Sequence, residues 1–168
     1  LPAVQGLTAA ETGTLAHQVF RFLDLPALVD DPSITSLETQ LDLLEAHGIL
    51  RPETRPVIGP MKESFLQFFR SPIAARMRRA ELLGHLYREM PFTIAIPACE
   101  LGSGATGLAP DDRVLVQGMI DIWFREDTRA VLVDFKTDRI TGSQEDRAHV
   151  LRERYRVQLD LYARAIRM

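Results

Sequence analysis

Apolar positions fall at helical spacing through the first half of the chain and alternate in much of the second. Leu15, Val19 and Phe22 predict a helix over residues 11–23, with Thr12 or Thr14 as N-cap. Leu37, Leu41 and Leu44 predict another over 33–47, after Pro32 and before Gly48, with His47 as its C-terminal residue. The proline-broken stretch from Arg51 to Pro60 reads as a loop. Residues 61–70, with Met61, Phe65, Phe68 and Phe69, and residues 72–83 read as two short helices. The character changes near Gly84. Leu86, Met90, Phe92, Ile94 and Ile96 alternate as in a half-buried strand, which Pro91 bends or places at a sheet edge. Gly102, Gly104, Gly107 and Pro110 mark 99–112 as a flexible loop. Val114–Phe124 and Ala130–Phe135 carry strong strand signals, and 138–146 is a polar loop. Leu151, Tyr155, Leu159, Tyr162 and Ile166 form one stripe of a long helix from Ala148 to the end. The order is a helical part over 1–83, then a sheet core and C-terminal helix over 84–168. That is a mixed α/β (α+β) class with one small central sheet flanked by helices.

Composition narrows this further. The chain has 168 residues, 46% apolar and 26% charged, which is one globular domain of ordinary make-up. No apolar run reaches the roughly 20 residues that cross a bilayer, and the first residues lack a signal-peptide pattern. The lone Cys99 excludes an intramolecular disulfide, a four-cysteine zinc site and a cysteine-ligated iron–sulfur cluster. The chain begins at Leu1 rather than Met, so it is expected to be a piece of a longer protein. Neither a dinucleotide fingerprint nor a P-loop is present. The net charge of −3 does not suggest nucleic acid unless positive charge is concentrated locally. Of 20 basic residues only Lys62 and Lys136 are lysine. In so arginine-rich a chain, a lysine is an unusual choice for a plain surface cation.

Two aspartates stand where a sheet disfavours them. Pairing Arg125 with Ala130 around the loop Glu126–Arg129 brings Phe124 opposite Val131 and Asp121 opposite Asp134, on one face. Like charges so placed are destabilising, and Asp is depleted in strands. Leu132, Asp134 and Lys136 share that face because the side-chain period is two. The plain alternative is two solvent-facing aspartates beside a lysine. Against it, both sit in very apolar sequence, Met119-Ile120-Asp121-Ile122-Trp123 and Val131-Leu132-Val133-Asp134-Phe135. A hard divalent cation such as Mg²⁺ relieves paired carboxylates, and a lysine beside it would face the same phosphate.

Asp121 followed by Asp134-Phe135-Lys136 resembles the signature of the PD-(D/E)xK nuclease superfamily. The match is closer to the RecB-like branch. Gly13-Thr14-Leu15-Ala16-His17 resembles its first-helix histidine motif, and Arg88-Glu89-Met90-Pro91-Phe92 its R-E-x-P-F strand. Gln117-Gly118-Met119-Ile120-Asp121, Asp134-Phe135-Lys136-Thr137-Asp138 and Gln158-Leu159-Asp160-Leu161-Tyr162 resemble its remaining motifs, in order. The set covers nearly the whole chain and most resembles the C-terminal nuclease of AddA-type helicase–nuclease subunits.

The resemblance implies a restriction-endonuclease-like core and Mg²⁺-dependent hydrolysis of DNA, with Mn²⁺ as a substitute, in double-strand break repair by recombination. It implies metal ligation by His17, Asp121, Asp134 and the carbonyl of Phe135, and catalytic roles for Lys136, Glu89, Gln158 and Tyr162. The expected setting is the bacterial cytoplasm, on single-stranded DNA, with helicase domains upstream in the same chain and a partner subunit of the AddB type, away from membranes. The single cysteine matches the branch without an iron–sulfur cluster. Taken alone, His17 reads as a partly buried core histidine, Glu89 as solvent-facing, and Gln158 as a structural amide needing hydrogen-bond partners. Arg70, Arg76, Arg78, Arg79 and Arg139 are either solvated surface or the local positive charge that meets phosphates. The other readings are a nuclease-inactive DNA-binding domain and a structural domain that docks on a helicase.

Overall fold

Short polar residues start the helices. In the computed structural model, which describes residues 8–100, 107, 109, 111–136 and 141–167, α1 spans Ala9–Phe22. Its N-cap is Thr8, in a reciprocal capping box with Glu11. Thr12 and Thr14 therefore lie inside the helix, and the Thr14 hydroxyl donates back to Ala10 O at 3.1 Å. Leu15, Ala16, Val19 and Leu23 are the buried stripe, and Phe22 is exposed. The sequence pattern overlooks α2 (Leu25–Asp30), whose N-cap is Asp24 and whose first turn holds Pro26. Ser33 caps α3 (Ile34–Ala46), which buries Leu37, Leu41 and Leu44 and ends at His47 as C-cap.

The stretch expected as a loop is instead three consecutive helical turns. They are a 3₁₀ turn at Pro52–Thr54, α4 at Arg55–Ile58 and a second 3₁₀ turn at Gly59–Met61. Pro52, Pro56 and Pro60 each sit in the first two positions of a turn, where no backbone N–H is needed. Spaced four apart, the prolines restart a helical turn rather than abolish it. Buried Ile58 anchors this segment. An ion-pair cluster also holds it: Arg55 bonds Glu38 and Asp42, both at 2.7 Å, and Glu45 at 3.0 Å, while Lys62 bonds Glu38. Two more helices follow, α5 (Lys62–Phe69) and α6 (Pro72–Leu82), the latter capped by Ser71.

Three strands form one antiparallel sheet in the order β1-β2-β3: β1 Leu86–Pro97, β2 Arg113–Glu126 and β3 Arg129–Val133. Pro91 thus lies on an edge strand, as its chemistry requires. The β2–β3 loop is only Asp127-Thr128, with Asp127 at φ 53°. β3 ends at Val133, so Asp134 and Phe135 lie beyond the ladder, not within the strand expected for them. Helix α7 (Gln144–Arg167) begins four residues earlier than its apolar stripe suggested. Most of the glycine-rich loop (101–106, 108 and 110) lies outside the described residues, as does the motif end at 137–140 with Arg139.

The chain divides into two compact units, Leu1–Tyr87 with Trp123–Asp138, and Arg88–Ile122 with Arg139–Met168. The first has its core on Leu28, Leu37, Leu41, Ile58, Phe69 and Met77. The second buries Ile94, Ile96, Ile120 and Ile122, the even-numbered side of its two strands, with Tyr162 of α7.

Candidate active site

In the first unit, α1 and the segment after β3 bring His17, Asp134, Phe135 and Lys136 into play. The His17 Nε2 lies 3.1 Å from the carbonyl oxygen of Phe135. That carbonyl is held in place by its own side chain. The Phe135 ring stacks on Phe20 at 4.3 Å and 10°, and meets Phe68 edge-on at 5.2 Å. Phe65 and Phe69 close the aromatic cluster around Phe20. Phe20 lies one helical turn after His17, so α1 supplies both the imidazole and the clamp that aims the carbonyl at it. The sequence pattern assigned no such role to Phe20 or Phe68. The only available signal was the i, i+3 spacing of Phe20 from His17.

Lys136 Nζ lies 2.7 Å from Asp134 Oδ2, and the side chains are 22% and 7% exposed. The carboxylate is thus almost fully withdrawn from water and the ammonium largely so. Such a pair is costly to break by removing one partner. Lys62 bonds Glu38 within the structural ion-pair cluster. The chain's two lysines therefore divide between a structural pair and this one.

In the second unit, Glu89 and Asp121 come together through strand register. Ala98 N donates to Asp112 O at 2.8 Å, and Gln117 Nε2 to Thr93 Oγ1 at 3.3 Å. Phe92 lies against Gly118. All three relations hold one antiparallel register, which sets Glu89 opposite Asp121. Both are half-buried. The Glu89 backbone has φ 47°, the left-handed region, which costs a non-glycine residue about 1–2 kcal/mol. Such strain persists only where the surroundings over-determine it, and it clusters at functional sites.

The same unit links three of the sequence motifs physically. Gln158 Nε2 donates to the Tyr162 hydroxyl at 2.6 Å. The Tyr162 ring meets Phe92 edge-on at 5.5 Å. A Cβ at Gly118 would stand 2.6 Å from the Phe92 ring, so only glycine lets that ring lie across β2. Gln158 and Tyr162 therefore brace Phe92 against Gly118, on the buried side of the strand from which Asp121 points away. This is the structural role weighed for Gln158.

The arginine cluster is largely committed to protein partners. Arg76 grips Glu126 through Nε at 3.0 Å and Nη2 at 2.7 Å, and Arg78 grips Asp30 at 2.8 Å. Arg70 donates to Pro32 O at 3.0 Å. The Arg76 hydrogen bonds hold the Glu126 carboxyl below the usual range, with Arg79 adding a longer-range pull. These contacts favour the structural reading of the cluster.

Among the described residues, no three His, Cys, Asp or Glu side chains stand together as a ready-made metal cage. The grouping in the first unit mixes an imidazole, a carboxylate and a main-chain carbonyl. No described helix is long and apolar enough to cross a membrane.

Comparison with known proteins agrees with the motif order. The chain is 37% identical over 164 residues to the A-type subunit of the ATP-dependent helicase/nuclease of Geobacillus thermodenitrificans, covering 95% of this chain and 12% of that protein. It is 36% identical over 169 residues to the protein of the same name from Carboxydothermus hydrogenoformans, covering 99% and 13%. The Desulforudis audaxviator relative is 38% identical over 168 residues, covering 99% and 12%. The chain thus spans about an eighth of the length of these relatives. The family model described as the PD-(D/E)XK nuclease superfamily matches residues 1–168, and the chain belongs to that superfamily.

Proposed function

We propose that the chain is a divalent-metal-dependent deoxyribonuclease domain, its two units acting as one nuclease, that hydrolyses phosphodiester bonds in DNA. The observation that carries this reading is the convergence of His17 Nε2 on the Phe135 carbonyl, beside the Asp134–Lys136 pair. The donor set fits a hard divalent cation, which favours oxygen ligands with little or no sulfur. The spacing also fits. Two adjacent ligands of an octahedral ion with bonds of about 2.1 Å stand about 3 Å apart, close to the 3.1 Å observed between His17 Nε2 and Phe135 O. His17, Asp134 and the Phe135 carbonyl would hold the ion. Asp121 joins them as the second carboxylate on the strength of its motif, with Glu89 opposite it in register. A bound ion lowers the pKa of a water and offsets charge at the scissile phosphate. Mg²⁺ suits this donor set, and Mn²⁺ would substitute.

His17 must present a bare Nε2 to such an ion, so its proton sits on Nδ1 in the active form. Without the ion, an Nε2–H donates to the Phe135 carbonyl instead. Lys136 has its ammonium beside Asp134, from where it orients a water or stabilises charge on a phosphate oxygen. Gln158 and Tyr162 act through Phe92 as positioning residues. The names of the relatives support a setting in which helicase domains feed a DNA strand to this domain during break repair, together with a partner subunit. The test is cleavage of labelled single-stranded DNA with Mg²⁺. Cleavage that stops with EDTA and returns with excess Mg²⁺ is expected. DNA binding without any cleavage under these conditions refutes the reading.

A further inference from the structure

We propose that the outward flank of α7 carrying His149, Arg152 and Arg156 binds the sugar–phosphate backbone of a DNA strand, an inference that rests on the nuclease reading above. Helix α7 has 24 residues, about 36 Å at 1.5 Å per residue. Tyr162 is its one buried side chain among the described residues, and Leu151, Tyr155, Gln158 and Leu159 face the same way at intermediate exposure. His149, Arg152 and Arg156 recur at i, i+3 and i+7, so they form a single row on another flank, and all three are exposed.

Their lack of partners sets the two arginines apart. Arg55, Arg70, Arg76, Arg78 and Arg164 are each held by carboxylates. Among the described residues, Arg152 and Arg156 have no hydrogen bond or ion pair. Asp160 lies one turn beyond Arg156 and still forms no ion pair with it. The acids nearer the helix start do not offset the row either, since Asp146 is committed to Ser143. A chain of net charge −3 thus leaves local positive charge on α7 and neutralises most of it on α6. Residues four apart on a helix have Cβ atoms about 5–6 Å apart, which lets two guanidiniums reach successive phosphates. Guanidinium also pairs with phosphate in two-pronged fashion, and arginine is the choice for such contacts.

The test reads binding without cleavage. Anisotropy of a fluorescein-labelled oligothymidine is titrated with the protein in EDTA, over a series of salt concentrations. Arg152→Ala combined with Arg156→Ala should weaken binding about tenfold or more at low salt. It should also reduce the salt slope by about 1.4, since each phosphate contact on a single strand contributes about 0.7. Arg152→Lys combined with Arg156→Lys should restore the slope, and melting temperatures should match in all three proteins. Wild-type affinity and slope in the alanine variant overturn the proposal and leave the flank as solvated surface or a protein contact. Failure of the lysine pair to restore the slope overturns it as well. Because EDTA excludes metal chemistry, intact binding with absent cleavage refutes the nuclease reading alone.

Discussion

The Nε2 of His17 lies 3.1 Å from the carbonyl oxygen of Phe135, 118 positions along the chain. The Phe20–Phe135 ring stack makes this placement rigid, since a stacked ring fixes the backbone that carries it. One helix thus contributes an imidazole and the surface that aims a carbonyl toward it.

This pairing predicts a metal-dependent gain in stability. Millimolar Mg²⁺ or Mn²⁺ should raise the melting temperature, by about 2.7 kcal/mol of stabilisation at 100 times the dissociation constant. The gain should shrink in His17→Ala and vanish in Asp134→Asn. Calorimetry with and without the ion checks it, and an undiminished gain in Asp134→Asn would place the ion elsewhere.

Asp134→Asn should abolish cleavage. It should also cost the metal-free protein about 1–3 kcal/mol, because Lys136, only 22% exposed, loses the charge that compensates it. Denaturant unfolding and cleavage of labelled DNA measure the two effects separately. A variant that cuts at the wild-type rate removes Asp134 from the site.

Lys136→Arg should lose at least about 10²-fold in single-turnover rate although the charge is kept. The planar guanidinium prefers two-pronged pairing with a carboxylate, so it would grip Asp134 instead of leaving an oxygen for the ion. Retention of more than about a third of the rate, well short of that loss, would reduce Lys136 to bulk charge.

Gly118→Ala should destabilise the protein by about 1–3 kcal/mol, the usual cost of forcing an extra methyl into packed surroundings. The added Cβ would meet the Phe92 ring at 2.6 Å and displace it from Tyr162. Combining it with Phe92→Leu should recover part of the loss, a coupling that a double-mutant cycle measures. Strict additivity would show that the ring moves aside freely.

The acid side of the stability curve should depend on Glu38. Its carboxyl is held below the usual range chiefly by the hydrogen bond from Lys62, with burial opposing. A folded-state pKa below the unfolded one means the unfolded chain takes up the proton first as pH falls. The stabilisation is therefore complete above the ordinary carboxylate range and fades as pH drops through the folded value. Melting temperatures of wild type and Glu38→Gln should differ most near neutral pH and converge below about pH 4. A constant gap across that range would exclude titration of Glu38 as the cause.

Much of this molecule is written in local pattern. The alternation from Leu86 to Ile96 and the i, i+4 leucines of α3 are set by neighbours within a turn or a strand, and both elements form where that pattern lies. The strand order and the edge position of Pro91 follow from the same short-range chemistry. Where local signals compete, packing decides. The prolines at 52, 56 and 60 read as breakers, yet buried Ile58 and the Arg55 ion pairs bind that segment into helical turns. The motifs marked His17, Glu89, Asp121, Asp134 and Lys136 as residues of interest without placing them. That Glu89 stands opposite Asp121, that Asp134 leaves the ladder for Lys136, and that Arg76 and Arg78 have carboxylate partners all depend on contacts between distant segments. Such contacts depend on register and on the shape of the core. Periodicity along the chain states which face a residue occupies, whereas only the folded chain states what that face meets.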